Sequence, residues 1–578
     1  MNEAPASAED YAKHEHHSFL AASHAALDNP ELQSALAKLG ETLGQRNRDA
    51  FAALDESDLL RERARAIKDA TLAELDHHLE TLEASVRRRG GEVYFADDGA
   101  AACKIVLEIL RARGLKRAVK SKSMTSEEIH LNAALEAEQI ETIETDFGEY
   151  IIQVAGQRPS HLVAPALHLR IPQVAEILSR DAGEPLPVDA VELAAYARRR
   201  LRSAFAAAEV GITGANFAVA ETGTIVLVSN EGNARLTTSL PRIHIAIMGI
   251  EKVIPRLADL PVFLKVLARA ATGQKLSVYT SLVSGPRQPG ELDGPDEFHL
   301  VLLDNGRSRI LASPLRESLF CIRCGACLNA CPIYRNVGGH AYGGVYAGPI
   351  GAVLTPLYDG LSANHHLPHA SSLCGACQAA CPVKIAIPQM LIELRDQLHR
   401  EPGQLGRLEA LAYRIWARAM RSPRLYRLGT WLATRTLGRW RRKSGWFERL
   451  PGQLHGWTER RDFPAPAPER FRDWWHDEGR AGQDEGRAGR PRPANDDEGR
   501  AGRPRPANDD EGRAGRPRPA SDAEGRAGRP RPANDDEGRA GRPRPASDDE
   551  GRAGRPRPAN DDEGRVGRPR PANEEGEQ

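Results

Sequence analysis

Two stretches, Cys321-Ile322-Arg323-Cys324-Gly325-Ala326-Cys327-Leu328-Asn329-Ala330-Cys331-Pro332 and Cys374-Gly375-Ala376-Cys377-Gln378-Ala379-Ala380-Cys381-Pro382, hold seven of the chain's eight cysteines. Their spacings are C-x2-C-x2-C-x3-C-P and C-x2-C-x3-C-P. An iron–sulfur cluster needs several thiolates converging on one small body, and closely spaced cysteines on a tight turn supply three together. The proline after each run turns the chain away. In two-cluster ferredoxins the last cysteine of each run serves the other cluster. The layout therefore predicts two clusters with exchanged ligands, in a protein that carries electrons.

Disulfides and zinc are the competing uses of cysteine. Disulfides need an oxidising compartment, and Met1-Asn2-Glu3-Ala4-Pro5 begins with neither a basic region nor an apolar core for export. Structural zinc sites take their ligands as two separated pairs, which a four-cysteine run with 2-2-3 spacing does not resemble.

The exchange rule gives cluster one Cys321, Cys324, Cys327 and Cys381, and cluster two Cys331, Cys374 and Cys377. A complete second run would place a cysteine at 371, where the chain has Ser371. Cluster two is thus one thiolate short. It is either [4Fe–4S] with a fourth ligand from Ser371, water or a histidine of Asn364-His365-His366-Leu367-Pro368-His369, or it is [3Fe–4S]. Those histidines read more simply as loop residues. Cys103, in the apolar run Ala101–Leu107, reads as a buried structural thiol.

Composition bounds the remainder. The length allows two or three domains, and a formal net charge of zero gives no electrostatic case for nucleic acid. No apolar run reaches the ~20 residues of a membrane-spanning helix, so any membrane contact is peripheral and the expected compartment is the cytoplasm.

Five segments follow. Residues 1–90 read as helical. Residues 91–310 read as an α/β domain with strands at Glu92–Phe95, Arg117–Val119, Asn216–Ala220, Thr224–Ser229, His244–Ile247, Leu276–Ser281 and Phe298–Leu303. Residues 311–400 form the helical two-cluster domain. Residues 401–483 are basic and aromatic, with Tyr413, Trp416, Tyr426, Trp431 and Trp440 at helical intervals; the aromatic face is expected to pack on the cluster domain and leave the arginines in water. Residues 484–578 repeat a thirteen-residue unit, DEGRAGRPRPAND with variations, seven times. The unit has no large apolar side chain to offset the entropy of ordering, so disorder is expected.

The α/β segment also carries polar, glycine-rich stretches. Gly211, Thr213 and Gly214, with Thr222, Gly223, Thr224 and Arg235, are read as loops of an anion site, Arg235 offering a planar fork to a carboxylate. Lys120–Thr125 and Glu144–Glu149 are read as lining the same cleft. Ordinary turn chemistry accounts for such residues equally well. No G-x-G-x-x-G or Walker A run is present, so nucleotide binding is not supported.

From about Leu60 to Trp475 the chain resembles the bacterial lactate utilization protein B family, the iron–sulfur subunit of a three-component L-lactate oxidation system. The resemblance is carried by Lys120-Ser121-Lys122-Ser123-Met124-Thr125-Ser126-Glu127-Glu128, Glu144-Thr145-Asp146-Phe147-Gly148-Glu149, Ala220-Glu221-Thr222-Gly223-Thr224, Phe320–Asn329, Gly338-Gly339-His340 and Gly348–Ala352. It implies an α/β domain of the isomerase and CoA-transferase type followed by a helical two-cluster ferredoxin domain. It also implies two partners, a cysteine-rich subunit and a second α/β subunit, with L-lactate oxidised to pyruvate. The second run lacks its fourth cysteine in that family too, and the repeats lie outside its pattern. Without a flavin or nicotinamide fingerprint, this chain is expected to transfer electrons and not to oxidise lactate by itself. A redox-sensing regulatory or scaffolding protein is the alternative.

Overall fold

The computed structural model describes residues 18–400, 407–439, 445–450, 452, 455–459, 461–465, 467 and 470–476. The thirteen-residue repeats and Trp440 lie outside them.

Ten strands run through the α/β part: β1 (Glu92–Ala96), β2 (Arg117–Lys120), β3 (Glu141–Glu144), β4 (Val210–Thr213), β5 (Phe217–Val219), β6 (Thr224–Ser229), β7 (Ile243–Gly249), β8 (Val253–Ile254), β9 (Tyr279–Val283) and β10 (Glu297–Leu303). Six form a parallel sheet in the order β1-β10-β7-β4-β2-β3. The other four form a mixed sheet, β8-β5-β6-β9.

Alternation of side chains along each strand divides the apolar surface between two faces. Ile245 and Ile247 of β7 join Val301 and Leu303 of β10 under the helix Gly99–Arg111. Ala246 and Met248 face the other way, with Leu300 and Leu302. Strands covered on both faces read as continuous apolar runs, which is why β7 and β10 are legible in the sequence. Cys103 lies in the first of these cores as expected, its thiol donating to the Ile129 carbonyl at 3.4 Å and pushed up to about 11 by burial.

One expectation is corrected by β4. Gly211 and Thr213 are not loop residues; they sit in a central strand and are fully buried. The helix Asn233–Ser239 lies so close over Gly211 that a Cβ there would fall 1.9 Å from the Thr237 carbonyl oxygen. The glycine serves close packing, and the Thr213 hydroxyl bonds His244 Nε2 at 2.8 Å inside the sheet. Gly211→Ala is therefore expected to destabilise the protein by about 3 kcal/mol, the upper range for overpacking, as measured by urea unfolding.

The cysteine-rich segment shares a core with the α/β part. One apolar cluster includes Leu36, Leu82, Phe217, Met248, Leu302, Phe320, Cys327, Ile350 and Leu394. The helix Ser57–Ala73 ties the parts together through polar groups as well. Arg61 donates to the Cys381 carbonyl at 2.6 and 3.2 Å, Arg65 to the Lys384 carbonyl at 2.7 Å, and the buried Lys68 ammonium to the Glu251 carbonyl.

A second correction concerns the basic, aromatic stretch. The helices Arg407–Arg421 and Pro423–Arg439 pack on each other. Their aromatic residues stay more than a third exposed, Tyr413 at 50%, Trp416 at 59%, Tyr426 at 40% and Trp431 at 39%, although Tyr413 meets His399 of the cluster segment edge-on, with ring centres 5.6 Å apart. Pairing of two short amphipathic helices buries only part of each apolar face. Phe471, Trp474 and Trp475 pack on one another, Phe471 stacking on Trp475. No helix among the described residues is long and apolar enough to cross a membrane.

Candidate functional site

The two cysteine runs fold alike, fifty residues apart. In the first, Arg323 and Gly325 take left-handed backbone conformations (φ 60° and 76°) before the short helix Ala326–Ala330. In the second, Leu373 and Gly375 do the same (φ 54° and 81°) before Ala376–Ala380. These turns bring successive cysteines to one side, and the two helices pack together. Ser371 occupies the place in its run that Cys321 has in the first. Its hydroxyl accepts from the Leu373 N–H at 3.1 Å, and Arg395 donates to its carbonyl at 3.3 Å.

No cysteine is in a disulfide. The thiols fall into two neighbourhoods that each draw on both runs. Cys321, Cys324, Cys327 and Cys381 line one cavity, whose other walls include Leu162, Ile322, Ile350 and Val383. The Cys327 thiol is pushed well above its ordinary range by burial and then by Cys321, Cys324 and Cys381. Cys381 is pushed up to about 11 by burial, although the Ile385 and Val383 N–H groups pull the other way. In the second neighbourhood Cys377 is pushed up to about 12 by burial and by Cys331 and Cys374. Cys374 is exposed and lies below its usual value, held there by the Ala376 N–H and the Ser372 hydroxyl.

This donor set fits iron–sulfur clusters. Four thiols around an apolar cavity are costly to ionise unless a cationic centre accompanies them, and N–H···S contacts are the means by which a fold tunes such a centre. Such contacts are present, from Ile385 N–H to Cys381 at 3.4 Å and from Tyr334 N–H to Cys331 at 3.5 Å. Among the described residues no three His, Cys, Asp or Glu side chains converge closely enough for a single metal ion. Of the loop histidines considered as ligands, His365 bonds the Ser362 carbonyl at 3.1 Å, and His366 stacks on Phe19.

His161 is a functional neighbour that carries no sequence signal. Its Nδ1 accepts from the Val163 and Ala164 N–H groups at 3.1 Å each, which leaves the Nε2 proton for Asn329 Oδ1 at 3.0 Å. Burial lowers it to about 4, so it stays neutral beside the first cysteine loop. A Cβ on Gly325 would meet its ring at 3.2 Å.

Above the carboxyl ends of the parallel strands lies a deep cleft. The sheet order changes direction between β2 and β4, and open α/β sheets bind ligands at such a point. The loops after β2 (Ser121–Thr125), β4 (Gly214–Asn216) and β7 (Lys252) line the cleft, and Arg323 and Cys324 of the first cysteine run complete it. Arg323 joins the cleft to a buried ion-pair network through Glu251. The fully buried Arg307 donates to Glu251 at 2.6 Å and, through both terminal nitrogens, to Glu128 at 2.8 and 2.9 Å. Tyr346 donates to Glu128 at 2.6 Å, and Arg323 lies over the Tyr346 ring, 4.5 Å from its centre.

The residues first read as an anion site are not brought together. Gly214 borders the cleft, where a Cβ would lie 2.6 Å from Ser123 Oγ. Gly211 and Thr213 are inside the sheet. Thr222, Gly223 and Thr224 form the turn at the start of β6, whereas Leu227–Ser229 at its other end reach the cleft. The Thr222 and Thr224 hydroxyls bond each other at 2.7 Å, and Gly223 (φ 68°) packs on the backbone of Ser85 and Val86. Arg235 is exposed and borders no part of the cleft. Lys120 is fully buried under it, paired with Glu144 at 2.6 Å. Lys122, Ser123 and Asp146 do line it, Lys122 in an ion pair with Glu149.

Three family models match successive parts of the chain. Residues 79–303 match the LUD domain, residues 317–385 the 4Fe-4S dicluster domain, and residues 395–480 the C-terminal part of lactate utilisation protein B. Lactate utilization protein B of Geobacillus kaustophilus is 44% identical over 450 residues, covering 78% of this chain and 94% of its own length. Its counterpart in Shouchella clausii is 46% identical over 445 residues, covering 77% and 93%. A crystal structure of a DUF162 family protein from Deinococcus radiodurans aligns over 40% of this chain and 98% of its own, at 14% identity and a TM-score of 0.23.

Proposed function

The chain belongs to the lactate utilization protein B family, and from that membership we propose that it carries electrons away from L-lactate as lactate is oxidised to pyruvate. That oxidation releases two electrons and two protons. Bound iron–sulfur clusters would supply one-electron carriers. Cys321, Cys324, Cys327 and Cys381 would hold one, and Cys331, Cys374 and Cys377 the other. The observation that carries this reading is the grouping of the thiols into two adjacent sets, each drawn from both runs.

The chain's own residues give the two sites different surroundings. The first is lined mainly by apolar side chains, and Cys324 also borders the cleft. The second opens to solvent at Cys374, where another protein has access. The reading includes two partners, a cysteine-rich subunit and a second α/β subunit, and a cytoplasmic setting in which thiols stay reduced until metal binds. Kinship of the α/β part with isomerase and CoA-transferase folds belongs to the same reading.

Anaerobically prepared protein is expected to contain about eight irons, or about seven if the second centre is [3Fe–4S]. Because Ser371 sits in a turn of the same form as that of Cys321, Ser371→Cys is expected to raise a content of about seven to about eight. Iron and sulfide analysis checks both numbers; one zinc per chain without visible thiolate-to-iron absorption contradicts them. For the function itself, a deletion strain lacking any other lactate dehydrogenase is expected to lose growth on L-lactate as sole carbon source. Normal growth would sink the reading, and a defect confined to gene expression would favour a redox sensor.

A further inference from the structure

The cleft beside Cys324 contains more cationic side chains than the protein itself satisfies. Arg323 is only 6% exposed, yet its Nη1 has no hydrogen-bond partner. Its Nη2 makes only long contacts, at 3.5 Å to Glu251 and 3.5 Å to the Tyr358 hydroxyl. Glu251 is already engaged by Arg307 at 2.6 Å and so is a shared counter-ion. Lys252 follows β7 directly into the cleft, and among the described residues its ammonium makes no hydrogen bond or ion pair. A buried guanidinium N–H without an acceptor is costly, and the cost is removed when a ligand supplies one.

We infer that this cleft binds a small monocarboxylate between Lys252 and Arg323, next to Cys324. Several features narrow the class. The planar fork of an arginine matches a carboxylate, and a neighbouring ammonium adds a point charge. Ser121, Ser123 and Asn216 supply polar groups of no net charge on the adjoining walls. Asp146 and Glu231 also line the cleft and interact with each other, burial and Asp146 raising Glu231 above its ordinary value. Two carboxyl groups in the same cleft disfavour a phosphate dianion and favour a singly charged ligand bearing a hydroxyl that can donate to them. A 2-hydroxycarboxylate has that form. The cleft that holds the site reaches the switch point of the parallel sheet, between β2 and β4. The choice of L-lactate as the particular 2-hydroxycarboxylate rests on the electron-carrier reading above; the site itself rests on the cleft.

Lys252 and Arg323 also lie near Cys321, and balancing thiolate charge is a competing role for them. Direct binding separates the two roles. The full chain, loaded with its clusters under anaerobic conditions, is dialysed to equilibrium against radiolabelled L-lactate, with inorganic phosphate as competitor, and EPR spectra of the reduced protein are recorded with and without lactate. One saturable lactate per chain is expected, little displaced by phosphate, together with a changed signal from one of the two centres. Lys252→Gln and Arg323→Gln are each expected to weaken binding by about tenfold or more at unchanged iron content. If Arg323→Gln loses iron, Lys252→Gln alone decides. Unaltered affinity in an iron-replete Lys252→Gln protein overturns the inference. So does an absence of saturable binding while the complex with its partner subunits still accepts electrons from lactate. If lactate binds as expected but no electrons pass in the complex, the site stands and the electron-carrier reading falls.

Discussion

Cys381→Ser is expected to abolish the cluster built mainly on the first cysteine run while leaving the one built on Cys331, Cys374 and Cys377. The substitution lies sixty residues from Cys321 along the chain, yet Cys381 lines the same cavity as Cys321, Cys324 and Cys327. A serine hydroxyl is a poor substitute for a thiolate at iron. Iron should fall by about four per chain, one EPR signal should vanish, and lactate-dependent electron transfer should be lost. Cys331→Ser is the reciprocal case and should remove the other signal. If each serine instead removed the cluster of its own run, the exchange of ligands would be disproved. Arg61 donates to the Cys381 carbonyl, not to its sulfur, so the backbone there stays tied in the variant.

Arg307→Leu is expected to destabilise the folded chain by about 3–5 kcal/mol, the range for breaking a fully buried ion pair from one side. Its guanidinium is the partner of two buried carboxylates, Glu128 and Glu251, and it lies 4.9 Å from the centre of the Tyr358 ring. Removing it leaves both carboxylates without their main cation. Glu251, held near 2 by Arg307 and Arg323 against its burial, would then become costly to keep ionised. Urea unfolding of the cluster-loaded protein measures the effect. Replacing Glu128, Glu251 and Arg307 together by apolar residues should cost less than the single change, because no buried charge is then stranded. A loss below about 1 kcal/mol for Arg307→Leu would show that water or neighbouring cations satisfy the carboxylates. The network joins the ends of β7 and β10 to the cysteine-rich segment, so it also holds the cleft in shape.

The two cysteine runs were legible because their chemistry depends on spacing along the chain, and a tight turn preserves that spacing in space. The missing thiolate at Ser371 was visible for the same reason. Strands covered on both faces, such as β7 and β10, announced themselves as apolar runs. Gly211 and Thr213 misled, since a glycine needed for close approach of a helix looks in sequence like a glycine needed for a turn. β3, with only four residues and a glutamate at each end, gave no strand signal. The aromatic stripe of the helices 407–439 had the correct period, but periodicity identifies an apolar face and not what covers it. Arg323 and Lys252 were unreadable as a pair because they lie seventy-one residues apart and meet only where the cysteine-rich segment folds over the sheet. His161 is alike in this respect. Its role comes entirely from contact with Asn329 and the loop at Gly325.

The most direct measurement is anaerobic EPR of this chain mixed with its two partner subunits and L-lactate, each component omitted in turn. With all components present, both centres should become reduced and pyruvate should form at one molecule per two electrons stored. The chain alone should remain oxidised. Full reduction by lactate of the isolated, cluster-loaded chain would contradict a role confined to carrying electrons. Pyruvate formation by the partners at an undiminished rate without this chain would contradict the role altogether.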